Sequence, residues 1–336
     1  MKMPSEVFGA NASQRDSEQH RNCRAAFSIP HDDPTIASLK NESSGKLTVS
    51  GLIRLASREL DARKIDTPLL DAEVILAHLL GCRRIDLYLH PDKPVETDVS
   101  TAYQNAIRRR GHNVPVSYIT RHAEFMSLDF YVDERVLIPR PETELLVEAV
   151  IEKSQNMSCK DEIILVDIGA GSGAIAITLA KKIDKARIFA VDISADALSV
   201  ARMNAGRHGV LHKITFVCGD TFEPLTAYGL ESKVHFIVSN PPYVSSGEFR
   251  HLPKEVRDYE PYVALVSGPD GLRMFKRIIT HVKAWLRPSG FLLFEVGEKQ
   301  AQTVLQFLED TGWFNKTAFI KDYQNINRIV VAQREK

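Results

Sequence analysis

The sequence has few cysteines, no excess of charge of either sign and no long hydrophobic run. Its four cysteines are scattered over 336 residues without a CxxC spacing, which argues against a disulfide framework or a zinc site and fits a reducing compartment. Lysine plus arginine and aspartate plus glutamate each number 43, so the basic excess of a dedicated nucleic-acid-binding protein is missing. No apolar run approaches the ~20 residues that span a bilayer. We therefore expect a cytoplasmic protein without a membrane segment.

The first 45 residues also lack hydrophobic periodicity. Polar stretches such as "NASQRDSEQHRN" predict a disordered tail over 1–45. Acidic residues recur in this tail, whereas a mitochondrial transit peptide is nearly free of acids. A cytoplasmic location is therefore expected in preference to a mitochondrial one.

Helical periodicity begins after the tail. In "TPLLDAEVILAHLLG", Thr67 can serve as N-cap, Pro68 suits the first helical position and Gly81 can end the helix in a left-handed turn. Segments 50–60 and 100–111 show the same period. We predict a small helical domain over 46–112, and our hypothesis is that it recognises the substrate.

The hydrophobic period then changes from helical to alternating. The alternating apolar residues are Met126, Leu128, Phe130 and Val132. They indicate a half-buried strand, and we predict a β-hairpin linker over 113–140. The preceding basic run Arg108, Arg109 and Arg110 is interpreted as a solvated helix end rather than a binding patch.

Strands and helices alternate through the rest of the chain, 141–336. Apolar strands are recognisable in "EIILVDIG", "ARIFAVDI", "KITFVCGD", "VHFIVSN", "GFLLFEVG" and "RIVVAQ". Helical segments separate them at 173–183, 194–208, 271–286 and 298–311. This alternation predicts an α/β fold, a doubly wound sheet with helices on both faces.

A glycine-rich loop follows the first of these strands, in "LVDIGAGSGAIAITLA". It comprises Gly169, Ala170, Gly171, Ser172 and Gly173. Its glycines allow a tight turn and the close approach of a ligand to the backbone before a helix begins. Because the loop also satisfies the dinucleotide pattern GxGxxA, it does not by itself identify the ligand.

Acidic residues close the next two strands. Asp192 is interpreted as an acceptor for both hydroxyls of an adenosine ribose; the alternative, a helix cap, is better filled by Ser194. Asp220, followed by Thr221, can reach the adenine amino group, and an ordinary loop aspartate is its alternative. Since the carboxyl ends of parallel strands meet at one edge of a sheet, these residues predict an adenosine-binding site.

The fourth strand runs into an unusual tetrapeptide, Asn240, Pro241, Pro242 and Tyr243. The prolines stiffen the chain and direct the Asn240 side-chain oxygen and the Pro241 carbonyl into one pocket. Both accept hydrogen bonds from a planar NH2 group, against which Tyr243 can stack. Holding a weakly nucleophilic nitrogen in line with a methyl sulfonium is catalysis by positioning and charge stabilisation. The predicted ligand is therefore S-adenosyl-L-methionine.

These motifs resemble the N5-glutamine methyltransferases of peptide chain release factors, the HemK or PrmC family, over about residues 47–333. Further matching stretches are "PVSYITRHAEF", "LIPRPETELLVE", "YEPYVALVSGPDGL" and "KDYQNINRIVVA". The resemblance implies a helical N-terminal domain, a hairpin and a class I methyltransferase domain with an antiparallel last strand. It implies as substrate the glutamine in the Gly-Gly-Gln segment of a release factor.

Carried onto this sequence, the resemblance places the cofactor against the glycine loop, Asp192 and Asp220, and the substrate amide against Asn240, Pro241 and Tyr243. Thr221 and Asn240 are further candidate cofactor contacts, and Pro242 is a further candidate substrate contact. It assigns Arg140 and Glu142 to the pocket wall, with a structural ion pair as the alternative. Two positions depart from the family pattern. Arg121 replaces a usual glycine, which we expect to alter the hairpin, and Thr221 replaces a common tryptophan, which we expect to remove a ring from the adenine site.

Several functions remain as alternatives at this point. The same reaction on a ribosomal protein glutamine is one, and adenine-N6 methylation of nucleic acid is another, disfavoured by the neutral charge. A binding module without catalysis is the most remote, because every expected methyl-transfer residue is present. We expect a monomer that uses no metal, makes no direct contact with nucleic acid and has a release factor as its partner.

Overall fold

The computed structural model describes residues 47–157 and 162–336. The predicted tail lies outside these residues. Within the described ranges, no helix is long and apolar enough to cross a membrane.

Five helices open the described chain. They are α1 Val49–Ala62, α2 Pro68–Leu80, α3 Arg84–Leu89, α4 Thr97–Gly111 and α5 Val116–Thr120. Helix α2 begins and ends as its sequence predicts, because Thr67 is the N-cap residue, Pro68 is the first helical residue and Gly81 is left-handed at φ 62°. The Thr67 hydroxyl donates to Asp71 instead of capping a backbone N–H. The apolar faces of these helices enclose a core of their own around Leu60, Leu76 and Ile107.

The basic run at the end of α4 is not uniformly solvated. Arg109 is exposed, but Arg110 is 6% exposed and its guanidinium lies 2.6 Å from Asp71 of α2 and 2.9 Å from Glu255. The interpretation of Arg110 as part of a solvated helix end was therefore wrong. Burial of its charge is compensated by two carboxylates, one of them on a segment 145 residues away.

A two-stranded hairpin follows, formed by β1 Ala123–Phe125 and β2 Leu128–Phe130. The strands pair antiparallel with Ala123 opposite Phe130. Met126, predicted to lie in the strand, is instead in the turn with Ser127, and both have positive φ, as a tight two-residue hairpin turn requires. The segment predicted as a hairpin linker, 113–140, also contains α5.

A seven-stranded sheet forms the centre of the remaining chain. Its strands are β3 Ile163–Ile168, β4 Ala186–Asp192, β5 Ile214–Cys218, β6 Val234–Ser239, β7 Leu286–Glu295, β8 Phe314–Lys321 and β9 Asn327–Arg334. The order across the sheet is β5-β4-β3-β6-β7-β9-β8. Strands β3 to β7 are parallel to one another, and β9 is antiparallel to both β7 and β8. The predicted doubly wound sheet with an antiparallel last strand is confirmed, and β8 is a strand that sequence analysis missed.

Helices cover both faces of this sheet. The helices of this region are α6 Pro141–Gln155, α7 Ala174–Lys182, α8 Ala195–Arg207, α9 Lys254–Arg257, α10 Tyr262–Leu265, α11 Arg273–Trp285 and α12 Ala301–Asp310, of which α9 and α10 are single turns. One apolar core contains residues of α6, α7, α8 and the hairpin, and the other contains residues of α11 and α12. The four predicted helices in this region are confirmed within three residues at each end.

Arg110→Ala should destabilise the protein strongly. The substitution leaves the Asp71 carboxylate, whose side chain is 7% exposed, without its cation, and breaking a buried ion pair from one side costs about 3–5 kcal/mol. Urea unfolding measures this loss. Arg109→Ala, one residue earlier and exposed, is the matched control and should change the free energy of unfolding by less than about 0.5 kcal/mol. Equal effects of the two substitutions would contradict the role of the buried pair.

Candidate functional site

The predicted site residues lie along the carboxyl edge of the parallel strands. Strand order places Asp220 after β5, Asp192 at the end of β4, the glycine loop after β3 and Asn240 after β6. Strands β4 and β6 flank β3 on opposite sides, so the chain reverses its direction of winding at β3. Ligands of open α/β sheets bind at such a switch point.

The glycine loop adopts the left-handed turns that its sequence predicts. Gly169, Gly171 and Gly173 have φ values of 80°, 54° and 83°. A Cβ atom on Gly173 would lie 2.8 Å from Ile177 and 3.1 Å from Ala201, so this glycine allows the loop to pack closely on α7 and α8. A Cβ on Gly171 would meet nothing within 4 Å. The loop is thus packed on its inner side and open at Gly171, as ligand binding to its backbone requires.

Asp192 is fixed against the glycine loop. Its two carboxylate oxygens accept hydrogen bonds from Gly171 N at 2.8 Å and from Ser194 N at 2.9 Å. Burial raises the pKa of Asp192, although these backbone donors oppose the shift. Ser194 caps α8 by accepting from Ala197 N, so the cap role that competed for Asp192 is filled by Ser194. Asp192 is half-buried, and its carboxylate is held beside the loop.

Asp220 is engaged by a residue that sequence analysis did not identify. Arg277 of α11 lies 2.5 Å from its carboxylate. The following residue, Thr221, is buried and has a positive φ of 50°. Asp220 therefore stands in line with Asp192 along the sheet edge but bonds to α11 instead of to the loop.

The tetrapeptide after β6 is connected to helix α6 by a chain of two hydrogen bonds. Asn240 Nδ2 donates to Thr143 Oγ1 at 3.0 Å, and Thr143 Oγ1 donates to Glu295 Oε2 at 2.5 Å. Thr143 belongs to the "PRPETE" segment at the start of α6 and Glu295 ends β7. Because a carboxamide is planar, bonding of its nitrogen to Thr143 leaves the Asn240 oxygen directed elsewhere. Asn240 also lies next to the loop, since a Cβ on Gly169 would be 3.9 Å from its carbonyl oxygen.

The other residues of the tetrapeptide are held by their backbone and by burial. Pro241 is buried and Pro242 half-buried. The carbonyl oxygen of Tyr243 accepts from Gln300 Nε2 at 2.8 Å, and Gly271 approaches that carbonyl so closely that a Cβ there would clash with it. Burial raises the pKa of the Tyr243 hydroxyl, so this group stays neutral. Its ring is a fixed, uncharged face.

Arg140 and Glu142 stand at the start of α6. Arg140 forms an ion pair with Glu260 at 2.5 Å, and the Glu260 side chain is 1% exposed. Burial raises the pKa of Glu260, and Arg140 opposes this shift. Arg140 therefore forms the structural ion pair that was the alternative to a role in the pocket wall. The charge of Glu142 raises the pKa of both Tyr243 and Glu295, so it acts electrostatically on the tetrapeptide.

Two buried carboxyl groups lie under the site. Burial raises the pKa of Asp167, at the end of β3, to about 7. Its Oδ2 accepts from Ala176 N, and Oδ1 has no partner among the described residues. Burial likewise raises the pKa of Glu295 to about 7, against the hydrogen bond from Thr143. Burial therefore favours the protonated form of both carboxyl groups.

Sequence analysis missed several residues that shape this site: Thr143, Asn204, Arg277 and Glu295. Asn204, fully buried in α8, donates to the carbonyl of Ser172 at 2.9 Å and exchanges two hydrogen bonds with the backbone of Tyr131. It thereby ties the glycine loop to the segment after the hairpin. The signal for this role in the sequence was an asparagine in the middle of a predicted helix.

A separate cavity of about 970 Å³ lies between α6 and the strands β7 to β9. Its lining includes Lys153, Arg287, Phe291 and Gln333, and it shares no residue with the predicted site. No group of three or more histidine, cysteine, aspartate or glutamate side chains within 47–157 and 162–336 could hold a metal ion.

Comparison with known sequences gives two family matches and close relatives. Residues 51–120 match the family described as the PrmC N-terminal domain, and 141–253 match the methyltransferase small domain. The chain is 41% identical over 268 residues to the release factor glutamine methyltransferase of Chlorobaculum tepidum, covering 79% of this chain and 90% of the relative. It is 39% identical to that of Nitratidesulfovibrio vulgaris, covering 87% and 97%.

Solved structures show weaker likeness. The hMettl16 catalytic domain in complex with MAT2A 3'UTR hairpin 6 has a TM-score of 0.49 at 16% identity, covering 77% of this chain and 92% of that one. A ribosomal protein L11 methylase from Lactobacillus delbrueckii subsp. bulgaricus has a TM-score of 0.39 at 17% identity, covering 59% and 81%.

Asp167→Asn should change how stability depends on pH. The pKa of this carboxyl rises from 3.8 to about 7 on folding. Its contribution to the free energy of unfolding is therefore complete below pH 4 and is lost as the pH rises towards 7. At about 1.4 kcal/mol per unit, wild type should lose about 4 kcal/mol over this range from Asp167 alone. The asparagine variant should lack this loss.

Urea unfolding at pH 4.5 and pH 8 measures the difference. Asp184→Asn, an identical change at an exposed position, should follow wild type at both values. If Asp167→Asn also follows wild type, the carboxyl is not titrating inside the folded protein as its burial requires.

Proposed function

The chain belongs to the release factor glutamine methyltransferase family, and we propose that it methylates the glutamine in the Gly-Gly-Gln segment of a peptide chain release factor. The methyl group comes from S-adenosyl-L-methionine and is transferred to the side-chain amide nitrogen, N5. The observation that carries this proposal is the orientation of Asn240, whose nitrogen is bound to Thr143 at 3.0 Å and whose oxygen is left to accept from a substrate amide beside the glycine loop.

The carboxyl edge of the sheet fits S-adenosyl-L-methionine. The open backbone at Gly171 can accommodate the nucleoside, with Ala170 and Ser172 as neighbouring loop contacts. Asp192, half-buried beside that loop, can accept from the ribose hydroxyls. Asp220 and Thr221, one strand further along, are proposed for the adenine end. This order leaves Asn240, on the other side of β3, for the end that carries the methyl group.

The protein's contribution to the chemistry is positioning. Bound S-adenosyl-L-methionine supplies an electrophilic methyl group on a positively charged sulfur. The Asn240 oxygen and the Pro241 carbonyl accept the two N–H groups of the glutamine amide, and the ring of Tyr243, held against Gly297, supports its plane. Positive charge grows on the nitrogen as the new bond forms, and preorganised acceptors stabilise it. In the same step the methyl–sulfur bond would break with its electron pair going to the sulfur, and the amide nitrogen would release one of its two protons to water.

Recognition of the protein substrate is assigned to two further regions. Arg140 and Glu142 at the start of α6, together with Pro242 of the tetrapeptide, are proposed as walls for the segment next to the glutamine. On the helical domain, apolar side chains of α2 and α3 are exposed to solvent: Leu69, Leu70, Ile85, Tyr88 and Leu89. Large exposed apolar patches on a soluble protein commonly mark protein interaction sites. We therefore propose that this surface docks the release factor. We also propose that the enzyme is cytoplasmic and monomeric.

The decisive experiment offers labelled S-adenosyl-L-methionine with release factor, ribosomal proteins and DNA in parallel. Label should enter the release factor and be absent when its Gly-Gly-Gln glutamine is replaced by alanine. Mass spectrometry of the peptide should place the methyl group on N5. Labelling of a ribosomal protein or of DNA instead would reject the release factor as substrate.

Asp192→Ala should weaken S-adenosyl-L-methionine binding by about 1.5–3 kcal/mol, the range for hydrogen bonds to a charged group. Isothermal titration calorimetry measures the affinity. Asp196→Ala, an exposed aspartate four residues later, removes the same charge from the same region and should leave the affinity unchanged. Unchanged affinity in Asp192→Ala would remove this residue from the ribose site.

Asn240→Ala should lower single-turnover rates by about 10² to 10³ under saturating S-adenosyl-L-methionine, the usual effect of removing one preorganised acceptor. Cofactor affinity should change little, since the ribose is held elsewhere. Asn240→Asp should be nearly as slow as alanine, because its second oxygen would face the Thr143 hydroxyl that already donates to Glu295. An aspartate variant with wild-type turnover would show that the donated hydrogen bond is irrelevant, and wild-type turnover in Asn240→Ala would defeat the mechanism.

A further inference from the structure

Three residues that are distant in sequence form one hydrogen-bonded chain behind the reacting position. Thr143 lies 97 residues from Asn240 and 152 from Glu295. Thr143 is 4% exposed and Glu295 is 2% exposed, so water cannot easily replace either partner. The chain connects the last residue of β7 through the first turn of α6 to the side chain that follows β6.

When Glu295 is ionised, counting protons fixes the direction of this chain. A threonine hydroxyl has one proton and two acceptor sites. When it donates to Glu295 Oε2 at 2.5 Å, its oxygen can only accept from Asn240, and the Asn240 group facing it must be Nδ2. The reverse orientation of the amide would set two acceptor oxygens 3.0 Å apart with no proton between them, which is unfavourable in a buried site.

We propose that Thr143 and Glu295 are positioning residues for methyl transfer, which hold the Asn240 amide with its nitrogen towards α6 and its oxygen towards the substrate nitrogen. This inference rests on the proposed function, because it assigns these two residues to the acceptor that the reaction uses. Neither residue touches the substrate. Both act through Asn240.

The charge on Glu295 controls this orientation. Ionised Glu295 can only accept, so Thr143 must donate its proton to it. Protonated Glu295 can itself donate to Thr143, and the Thr143 hydroxyl is then free to donate to Asn240. The Asn240 side-chain amide can then flip, with its oxygen towards Thr143. Burial raises the pKa of Glu295 to about 7. The charged or titratable groups acting on it are Glu142, which raises the pKa, and Arg328 of β9 and Arg140, which lower it; Tyr243 is neutral. Methyl transfer should therefore slow as pH falls below about 7.

A double-mutant cycle separates positioning from simple structural support. Thr143→Val keeps the shape of the side chain and removes the hydroxyl. It should lower kcat by about tenfold to a hundredfold through the lost contact and the unpaired Asn240 nitrogen. Asn240→Ala combined with Thr143→Val should be no slower than Asn240→Ala alone, because Thr143 has then no amide to orient. If the losses of kcat in the two single variants instead multiply in the double variant, the proposal is overturned.

Matched variants control for the loss of a buried hydroxyl. Thr143→Ser retains the hydroxyl and should recover most of the lost rate. Thr120→Val removes another buried hydroxyl, one that donates to Val116 O at 3.0 Å, and should leave kcat unchanged. The KM for release factor and the affinity for S-adenosyl-L-methionine should stay near wild type in Thr143→Val. A loss confined to these binding constants, with kcat unchanged, would assign Thr143 to packing and refute positioning.

A spectroscopic measurement tests the chain without methyl transfer. In protein with isotope-labelled asparagine, the NMR signals of the Asn240 side-chain amide are identified as those that disappear in Asn240→Ala. Their chemical shifts should titrate near pH 7 in wild type and lose this titration in Glu295→Gln. Absence of titration in wild type would refute control by Glu295. Failure of wild type to methylate a release factor would instead refute the proposed function and leave these amide signals as they are, so the two failures are distinguishable.

Discussion

The parallel pairing of β3 with both β4 and β6 is the constraint on which the site depends. In this register Asp167 lies opposite Ala190 on one side and Val238 on the other, so the three strands end at the same level. Ser239 Oγ donates to Ile168 O at 2.6 Å and locks the ends of β6 and β3 together. The glycine loop and Asn240 must therefore emerge side by side. Without this register, the loop and the tetrapeptide would be two unrelated turns.

Burial of carboxyl groups is the energetic cost of building this edge. Asp167 and Glu295 are both buried enough to raise their pKa to about 7, and Glu260 is held by Arg140. A fold selected for stability alone would fill such positions with apolar side chains, since buried ion pairs and lone carboxyls rarely add net stability. Their position under the glycine loop and behind Asn240 indicates that they order polar groups of the site, at the expense of stability.

Local features of the fold were predictable because their signals are local. The left-handed end of α2 at Gly81, the turns at Gly169 and Gly173 and the stiff segment at Pro241 each follow from the conformational limits of one residue. Thr143 and Glu295 were not predictable in the same way. Each is ordinary in its own segment, and its role arises only when α6, β6 and β7 are brought together.

The same reason explains the error at the basic run of α4. The charge pattern was read correctly as the end of a helix, but pairing of Arg110 with carboxylates 39 and 145 residues away is a tertiary property. Strand β8 was missed for a different reason. None of its residues is fully buried, so it shows neither the apolar run of the central strands nor a clear alternation.

The two departures from the family pattern have separate physical consequences. Arg121 ends α5 at φ 58°, a conformation that glycine adopts freely and that costs other residues about 1–2 kcal/mol. Its ion pair with Glu134 is exposed and offsets only part of that cost, yet β1 and β2 pair in register immediately after it. Arginine at this position therefore strains the turn without preventing the hairpin.

At Thr221 the consequence falls on ligand binding. The neighbouring ring, Phe222, is 3% exposed and stacks on Trp285 with ring centroids 5.7 Å apart, so it belongs to the core and cannot replace a ring at position 221. In the proposed function, adenine recognition at the end of β5 then depends on hydrogen bonding by Asp220. Because that carboxylate also pairs with Arg277, α11 sets where it can meet the adenine.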